Sequence, residues 1–391
     1  MHFIFILKLM SRKFFILFYL CSINLFSQTN LDTLLQKLKT SQHDTDLYNS
    51  YYNLGNYFQK SNPEKAFYYH SQAEKTADKI PGARGILDKA EAIRSKGWDY
   101  YIISNYDQAI NLYEKALNIT EKYLDDPDKT IKTKAKKLWA NIIGNIGVVF
   151  HEQGNFAKAL EYYFKALKIN EEIGNKQSKA ANFGNIGIVY DDLGDYSKAL
   201  EYYFDALKIY NEIGHKLGIV ANLGNIGIVY DVQSNYVKAL EYYFKALYIS
   251  EKIGYKQGQS AILGNIGSTY EKQGRYSKAL EYYFRALKIN KEIGNKRSQA
   301  INLGNIGSTY LKLKQISTAE KYLKNAEQLN KELGTIHHLK YAYASLSGLF
   351  EQTGKYKEAL HYFKEYSDVY DTLNFERNRK ALQTMEVKYQ Y

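Results

Sequence analysis

Five asparagines spaced forty residues apart, Asn145, Asn185, Asn225, Asn265 and Asn305, carry the first chemistry that the sequence presents. A carboxamide both donates and accepts, so it can meet the N–H and the C=O of a peptide backbone. Each follows a glycine (Gly144, Gly184, Gly224, Gly264, Gly304) and stands two residues before another (Gly147, Gly187, Gly227, Gly267, Gly307). A plainer account fits the same residues: bonds to a neighbouring helix, solvation, or neutral copying of a duplicated unit. Six residues beyond the asparagines come His151, Asp191, Asp231 and Glu271, then Glu351 in a later copy, with Glu152 and Asp192 beside two of them. An acidic strip of this kind favours a basic or amine-bearing peptide. The alternative is a solvated set of carboxylates offset by lysines such as Lys198, since an acid in the last turn of a helix opposes the dipole by about 0.3–1 kcal/mol.

Catalytic constellations are missing. The sequence contains no H-E-x-x-H, no phosphate-cradling G-x-x-x-x-G-K-[ST] and no G-x-S-x-G. The histidines are scattered, with His337-His338 at a unit junction. Asp125, Asp126 and Asp128 cluster around Pro127 without the distal Glu of a calcium loop. The expectation is a protein that is not an enzyme and takes no cofactor and no metal.

The elements that must position the asparagines follow from the period itself. Ala159, Ala199, Ala239, Ala279, Ala319 and Ala359 lie forty apart, and the segment 181–216 recurs nearly verbatim at 221–256 and 261–296. Weaker copies cover 301–340 and 341–380. Gly97 to Ala109 keeps the spacing of Gly187 to Ala199, and about ten extra residues around Asp125–Asp128 separate that copy from the next. A still weaker copy centres on Tyr57 and Ala66. Within a unit, Phe183, Ile186, Val189 and Tyr190 predict an amphipathic helix from about Lys176 to Leu193. Gly194 is placed as its left-handed stop, and Asp195 (Asn155 and Asn235 in sister units) as the N-cap of a second helix. That helix carries Leu200, Tyr203, Ala206, Leu207 and Ile213 on one face and ends at Gly214. Neither helix can bury its stripe alone, so neighbouring units must stack.

The pattern resembles the tetratricopeptide repeat, whose small residue, aromatic, alanine, aromatic and alanine are met by Gly187, Tyr190, Ala199, Tyr203 and Ala206. The familiar repeat has about 34 residues. At forty, this one is similar to the longer variants of spindle-orientation adaptors, kinesin light chains and bacterial sensor or peptide-pheromone receptor proteins. The resemblance covers roughly 46–380. It implies an all-α α-solenoid, a right-handed superhelix of about eight helical hairpins, with the first helix of each lining a concave groove. It also implies that Asn145, Asn185, Asn225, Asn265 and Asn305 hydrogen-bond a ligand backbone there, flanked by Asp191, Asp231 and Glu271. With roughly 10 Å between packed helices and roughly 3.3 Å per extended residue, such a ladder would touch about every third ligand residue. Glycine twice in one helix costs about 1 kcal/mol each against alanine. One of the two is explained by helix–helix packing; the other serves packing or lets a ligand approach.

Composition bounds the partners. The chain has 391 residues, 24% of them charged, 3 prolines and a net charge of +12, so nucleic acid and anionic membranes come into question. The lysines concentrate on the second helices (Lys158, Lys165, Lys168, Lys198, Lys208, Lys238, Lys245, Lys278, Lys288), which leaves the groove less basic than the total and disfavours nucleic acid. Tyrosine is one residue in ten, 39 in all, largely through the pairs Tyr162-Tyr163, Tyr202-Tyr203, Tyr242-Tyr243 and Tyr282-Tyr283. One of each pair is assigned to the core and its neighbour to packing between units.

The sequence divides into a signal peptide (1–27), divergent hairpins with a short insertion (28–136), four near-identical units (137–300), two divergent units (301–374) and a charged helix (375–391). Lys8, Arg12 and Lys13 precede the apolar run Phe14–Phe26, with cleavage expected near Ser27, an uncleaved anchor as the alternative, and Met10 as an alternative start. The sole cysteine, Cys21, excludes internal disulfides. The expected location is the periplasm or cell envelope. After Phe375 the sequence places Leu382, Met385 and Tyr389 on one side of a helix that resembles the linker of envelope sensors. The expected function is a non-catalytic scaffold that holds a peptide or protein segment. The alternatives are the sensory half of a membrane signalling protein, associated with the membrane through an uncleaved N-terminus or a missing C-terminal segment, and a polyanion scaffold.

Overall fold

The computed structural model describes residues 31–59 and 61–389, with side chains placed as far as 373. The N-terminal segment expected to be a signal peptide, with Cys21, lies outside the described residues, as do the side chains of Leu382, Met385 and Tyr389. Seventeen α-helices and no strand are present among the described residues. None of these helices is long and apolar enough to cross a membrane.

Two compact units divide within one helix, between Gly218 and Ile219. The first begins with α1 (Leu31–Thr40) and continues with α2 (Asp44–Phe58), α3 (Pro63–Ala77), α4 (Gly82–Ile102), α5 (Tyr106–Glu121), α6 (Lys129–Glu152), α7 (Phe156–Glu172), α8 (Lys176–Leu193) and α9 (Tyr196–Glu212). The dividing helix is α10 (Lys216–Val232), followed by α11 (Tyr236–Lys252), α12 (Lys256–Lys272), α13 (Tyr276–Glu292), α14 (Lys296–Lys312), α15 (Ile316–Glu332), α16 (Ile336–Gln352) and α17 (Tyr356–Tyr389). From α2 onward they pair in eight antiparallel hairpins, each packed on its neighbours in the same unit. The fold is the expected all-α solenoid.

The first six hairpins each close around one glycine and one ring, whereas in the seventh Gly307 meets Leu323. A Cβ on Gly147, Gly187 or Gly267 would stand 2.7 Å from the ring of Tyr163, Tyr203 or Tyr283, and on Gly227 2.5 Å from Tyr243. Those four tyrosines are at most 2% exposed, and Ala159, Ala199, Ala239 and Ala279 are fully buried beside them. The other member of each tyrosine pair stacks within its own hairpin, as Tyr202 does on Tyr190 at 5.5 Å and 2°. It also takes the edge of the preceding hairpin's phenylalanine, as Phe164 meets Tyr202 and Phe244 meets Tyr282. Both sequence assignments for the tyrosines therefore hold. Ile213 does not belong to the buried stripe: it lies past the end of α9, at the C-cap, and is 37% exposed.

The helix ends follow the predicted chemistry. Gly194 has φ +80°, and Asp195 N donates to Tyr190 O across it. The side chains of Asn155, Asp195 and Asn235 accept from Lys158, Lys198 and Lys238 N at 3.2–3.3 Å. Most of the ten extra residues lengthen a helix, α6 spanning 24 residues against 17 for α10, and the rest lengthen the connection before it, 122–128 against 213–215. Asp128 Oδ1 caps α6 by accepting from Thr130 N, and Asp126 Oδ1 accepts from Asp128 N, so this aspartate cluster serves a helix start.

Within each unit, first helices lie directly against the first helices of the next hairpin, α4 on α6, α6 on α8, α12 on α14 and α14 on α16. Second helices reach one another through long side chains such as Phe164. Crowding on one side and splaying on the other makes the first-helix side the inner face of each unit, and it buries those helices nearly all round.

Candidate inner-face site

The asparagine row sits deeper than a row of open amides. Asn145 is 8% exposed, Asn185 5% and Asn225 3%, while Asn265 and Asn305 are half-buried. The cause is the crowding just described, because a residue two places before the packing glycine lies at the seam between adjacent first helices.

Partners differ along the row. Asn145 Oδ1 accepts from Arg94 Nη1 at 3.2 Å, and its Nδ2 donates to Asn141 O at 3.3 Å. In the second unit, the Nδ2 groups of Asn225 and Asn265 are shielded and have no hydrogen-bond partner. A buried donor left unpaired costs about 1–3 kcal/mol, so these amides would gain from an acceptor brought to the inner face.

A second asparagine row escaped the sequence reading. Asn182, Asn222 and Asn302 stand three residues before Asn185, Asn225 and Asn305, and all are at most 6% exposed. Their forty-residue recurrence is written in the sequence but interrupted by Ile142 and Ile262. Asn182 Nδ2 is also shielded and unpartnered.

The carboxylates do not form an open acidic strip. Asp231, 5% exposed, pairs with Lys272 of the next first helix and accepts from Thr269 Oγ1 at 2.8 Å. Glu271 takes Lys312 Nζ at 2.7 Å and Tyr283 OH at 2.8 Å. In the first unit His151 Nε2 meets Asp192 Oδ2 at 2.8 Å, and Asp191 is 7% exposed. The acids therefore fasten one hairpin to the next. Their basic partners are Lys272 and Lys312 on first helices, not Lys198, which pairs with Asp195 and lies over the Tyr190 ring.

Arg94 anchors a polar cluster that the sequence reading also missed. Its Nη2 donates to Glu91 Oε1 at 2.9 Å, and Tyr52 OH donates to the same oxygen at 2.8 Å. Burial alone would raise the Glu91 carboxyl, but Arg94 and the Tyr52 hydroxyl beside it bring it below the usual range. Burial, then Glu91, pushes the Tyr52 phenol up to about 12. Close by, His70 Nδ1 and Asp99 Oδ2 lie 2.6 Å apart with both side chains buried, and Gln59 Nε2 donates to Asp99 Oδ1.

The second-helix lysines sit outside, over aromatic rings or beside glutamates, as Lys158 on Phe150, Lys238 on Tyr230 and Lys245 with Glu241 at 2.6 Å.

Comparison with known proteins matches this architecture. The tetratricopeptide repeat model matches residues 140–212, 218–292 and 298–372. No curated protein is a sequence match for the chain. Among solved structures, the signal transduction ATPase with a tetratricopeptide repeat sensor from Pyrococcus horikoshii is 18% identical with a TM-score of 0.57, over 89% of this chain and 55% of that one. The Rap conjugation gene regulator of plasmid pLS20, in complex with the Phr* peptide, is 15% identical with a TM-score of 0.54, over 85% and 97%. NprR in complex with its cognate peptide NprX is 15% identical with a TM-score of 0.52, over 87% and 99%. At such identities the likeness is one of fold.

Proposed function

Because the chain belongs to the tetratricopeptide repeat family, we propose that it is a non-catalytic scaffold that binds an extended peptide or protein segment on the inner face of its first helices. The observation that carries this reading is the pair of shielded, unpartnered amide donors on Asn225 and Asn265. A peptide carbonyl is the acceptor that such a donor suits, and a repeated backbone spaces carbonyls as a repeated fold spaces asparagines. The peptide complexes of the pLS20 Rap regulator and of NprR support it by fold likeness. Since Asp231 and Glu271 already hold Lys272 and Lys312, selectivity for basic peptides is a smaller part of the proposal than main-chain recognition. The location we propose is the cell envelope, on the strength of the basic and apolar pattern in Met1–Asn30 alone.

The test uses the full chain and a synthetic peptide selected on it from a displayed random-sequence library. Asn225→Ala with Asn265→Ala keeps the helical circular dichroism and weakens that peptide roughly tenfold or more, one hydrogen bond of about 1.4 kcal/mol being a factor of ten. Unchanged affinity with intact helicity moves the site elsewhere.

A second reading, the sensory part of a larger signalling assembly, is favoured by α17, which runs unbroken through the charged segment to Tyr389. It agrees in fold with the sensor of the P. horikoshii ATPase. Under it, the selected peptide changes hydrogen exchange along α17; exchange there that ignores the peptide counts against it.

A further inference from the structure

The lengthened start of α6 carries a basic hollow that neither the core nor the asparagine row uses. α6 begins at Lys129, about two turns farther ahead of Gly147 than α8 begins ahead of Gly187. Lys129, Thr130, Thr133, Lys134 and Lys137, on and just after this extension, line an open hollow of about 490 Å³. Lys137, Thr133 and Thr130 precede Gly144 by close to two, three and four whole turns. They therefore share the inner side of α6 with Gly144, where a Cβ would have no atom within 4 Å.

The charge of the hollow is not balanced from within. Lys129 and Lys137 are exposed and have no ion-pair partner among the described residues. Lys134 between them pairs with Asp88 of α4, which Arg84 also approaches at 3.9 Å, so that group keeps an excess cation. The other two lysines of the extension are turned off this face and are taken, Lys132 by Asp125 and Lys136 by Glu172. The helix start adds no free donors here, because Asp128 Oδ1 already accepts from Thr130 N and Ile131 N. What the hollow offers is ammonium groups beside threonine hydroxyls, and the group that suits them is a carboxylate.

We propose that this hollow docks an acidic peptide segment, its carboxylates meeting Lys129 and Lys137 across the hydroxyls of Thr130 and Thr133. The two lysines stand about 12 Å apart along the helix axis. Side chains four residues apart on one face of an extended strand are spaced by about 13–14 Å, within reach of two lysine arms, so acids at that interval engage both. Nucleic acid suits the hollow less well. None of its lining residues is aromatic, so no base can stack there, and a duplex brings a charge every ~1.7 Å to a face with few cations. The hollow lies in the first unit, whereas Asn225 and Asn265 lie in the second, so this site is tested apart from theirs.

The full chain is titrated with a fluorescent peptide of ten glutamates at about 50 mM salt, where surface charges are weakly screened. Binding is expected, and Lys129→Glu with Lys137→Glu weakens it about tenfold or more. Lys129→Arg with Lys137→Arg keeps the charge and should hold the Kd within about twofold. Both positions are exposed, so Tm stays within about 2 °C of wild type; Lys129→Gln with Lys137→Gln repeats the loss without reversing charge. The control, Lys158→Glu with Lys168→Glu, makes the same change in net charge on the outer second helices and is expected to bind as wild type. Equal loss in that control overturns the inference, since affinity would then follow net charge alone. A wild-type chain that ignores the glutamate peptide overturns it as well. So does a ten-nucleotide oligothymidylate that binds as tightly through the same two lysines, which would assign the hollow to polyanions at large.

Discussion

Gly187 and Gly144 look alike in the repeat, yet a Cβ on one would meet a ring and a Cβ on the other would have no atom of the described residues within 4 Å. A Cβ on Gly187 would meet Tyr203 at 2.7 Å, and Tyr203 is 1% exposed with no room to turn. Gly187→Ala is expected to destabilise the fold by about 1–3 kcal/mol, the range for overpacking a full core, even though alanine is the better helix former. Chemical denaturation of the full chain measures it, and a variant as stable as wild type would show that the hairpin yields at that seam. The sequence named Gly187 as a packing residue because its spacing to Tyr203 was visible, but left Gly144 open between two roles. Clearance depends on what stands across the seam, and no residue near Gly144 in sequence reports that. Burial of Asn145, Asn185 and Asn225 was hidden for the same reason: period and face were legible, whereas depth is set by how closely neighbouring first helices crowd.

Helix ends show how far local chemistry carries, since the stop at Gly194 and the caps at Asn155, Asp195 and Asn235 were all readable from residue type. One cap was not. Asn175 and Asn295 start α8 and α14 by accepting from Ser178 N and Ser298 N, and at the same register His215 Nδ1 accepts from Gly218 N at 3.0 Å with its ring stacked on Tyr210. Only the neutral imidazole can accept there. Burial lowers the His215 pKa below its ordinary 6.5. The unfolded chain then binds the proton more readily than the folded one, so this contribution to stability is complete above about pH 6.5 and is lost as pH falls through the lower folded value. His215→Asn restores the sister units' cap, which does not titrate. It should match wild type near pH 7.5 and be the more stable of the two near pH 5, as read by urea midpoints at both values. Parallel midpoints for the two proteins across that range would show that His215 is not the titrating cap.

Within each unit, contacts run from each hairpin to its neighbours, and this explains both what was legible and what was not. The repeat, the hairpin count and the tyrosine core depend on residues within one period, so a single sequence displays them. The ties between hairpins, Asp231 to Lys272 and Glu271 to Lys312, join residues 41 apart, and the acids were visible while their partners were not, because the pairing follows from stacking geometry rather than from the repeat. An array held by nearest-neighbour contacts has a stability close to a sum of local terms, so damage should stay local. Gly267→Leu forces a branched side chain where a single Cβ would already stand 2.7 Å from Tyr283, prising α12 from α13. Amide hydrogen exchange is expected to rise in α12 and α13 and in the flanking α11 and α14, while α2 to α5 keep wild-type protection. Protection lost equally from α2 to α15 would mean that the array opens as one body, and a ligand bound at a few repeats would then stabilise all of them rather than its own.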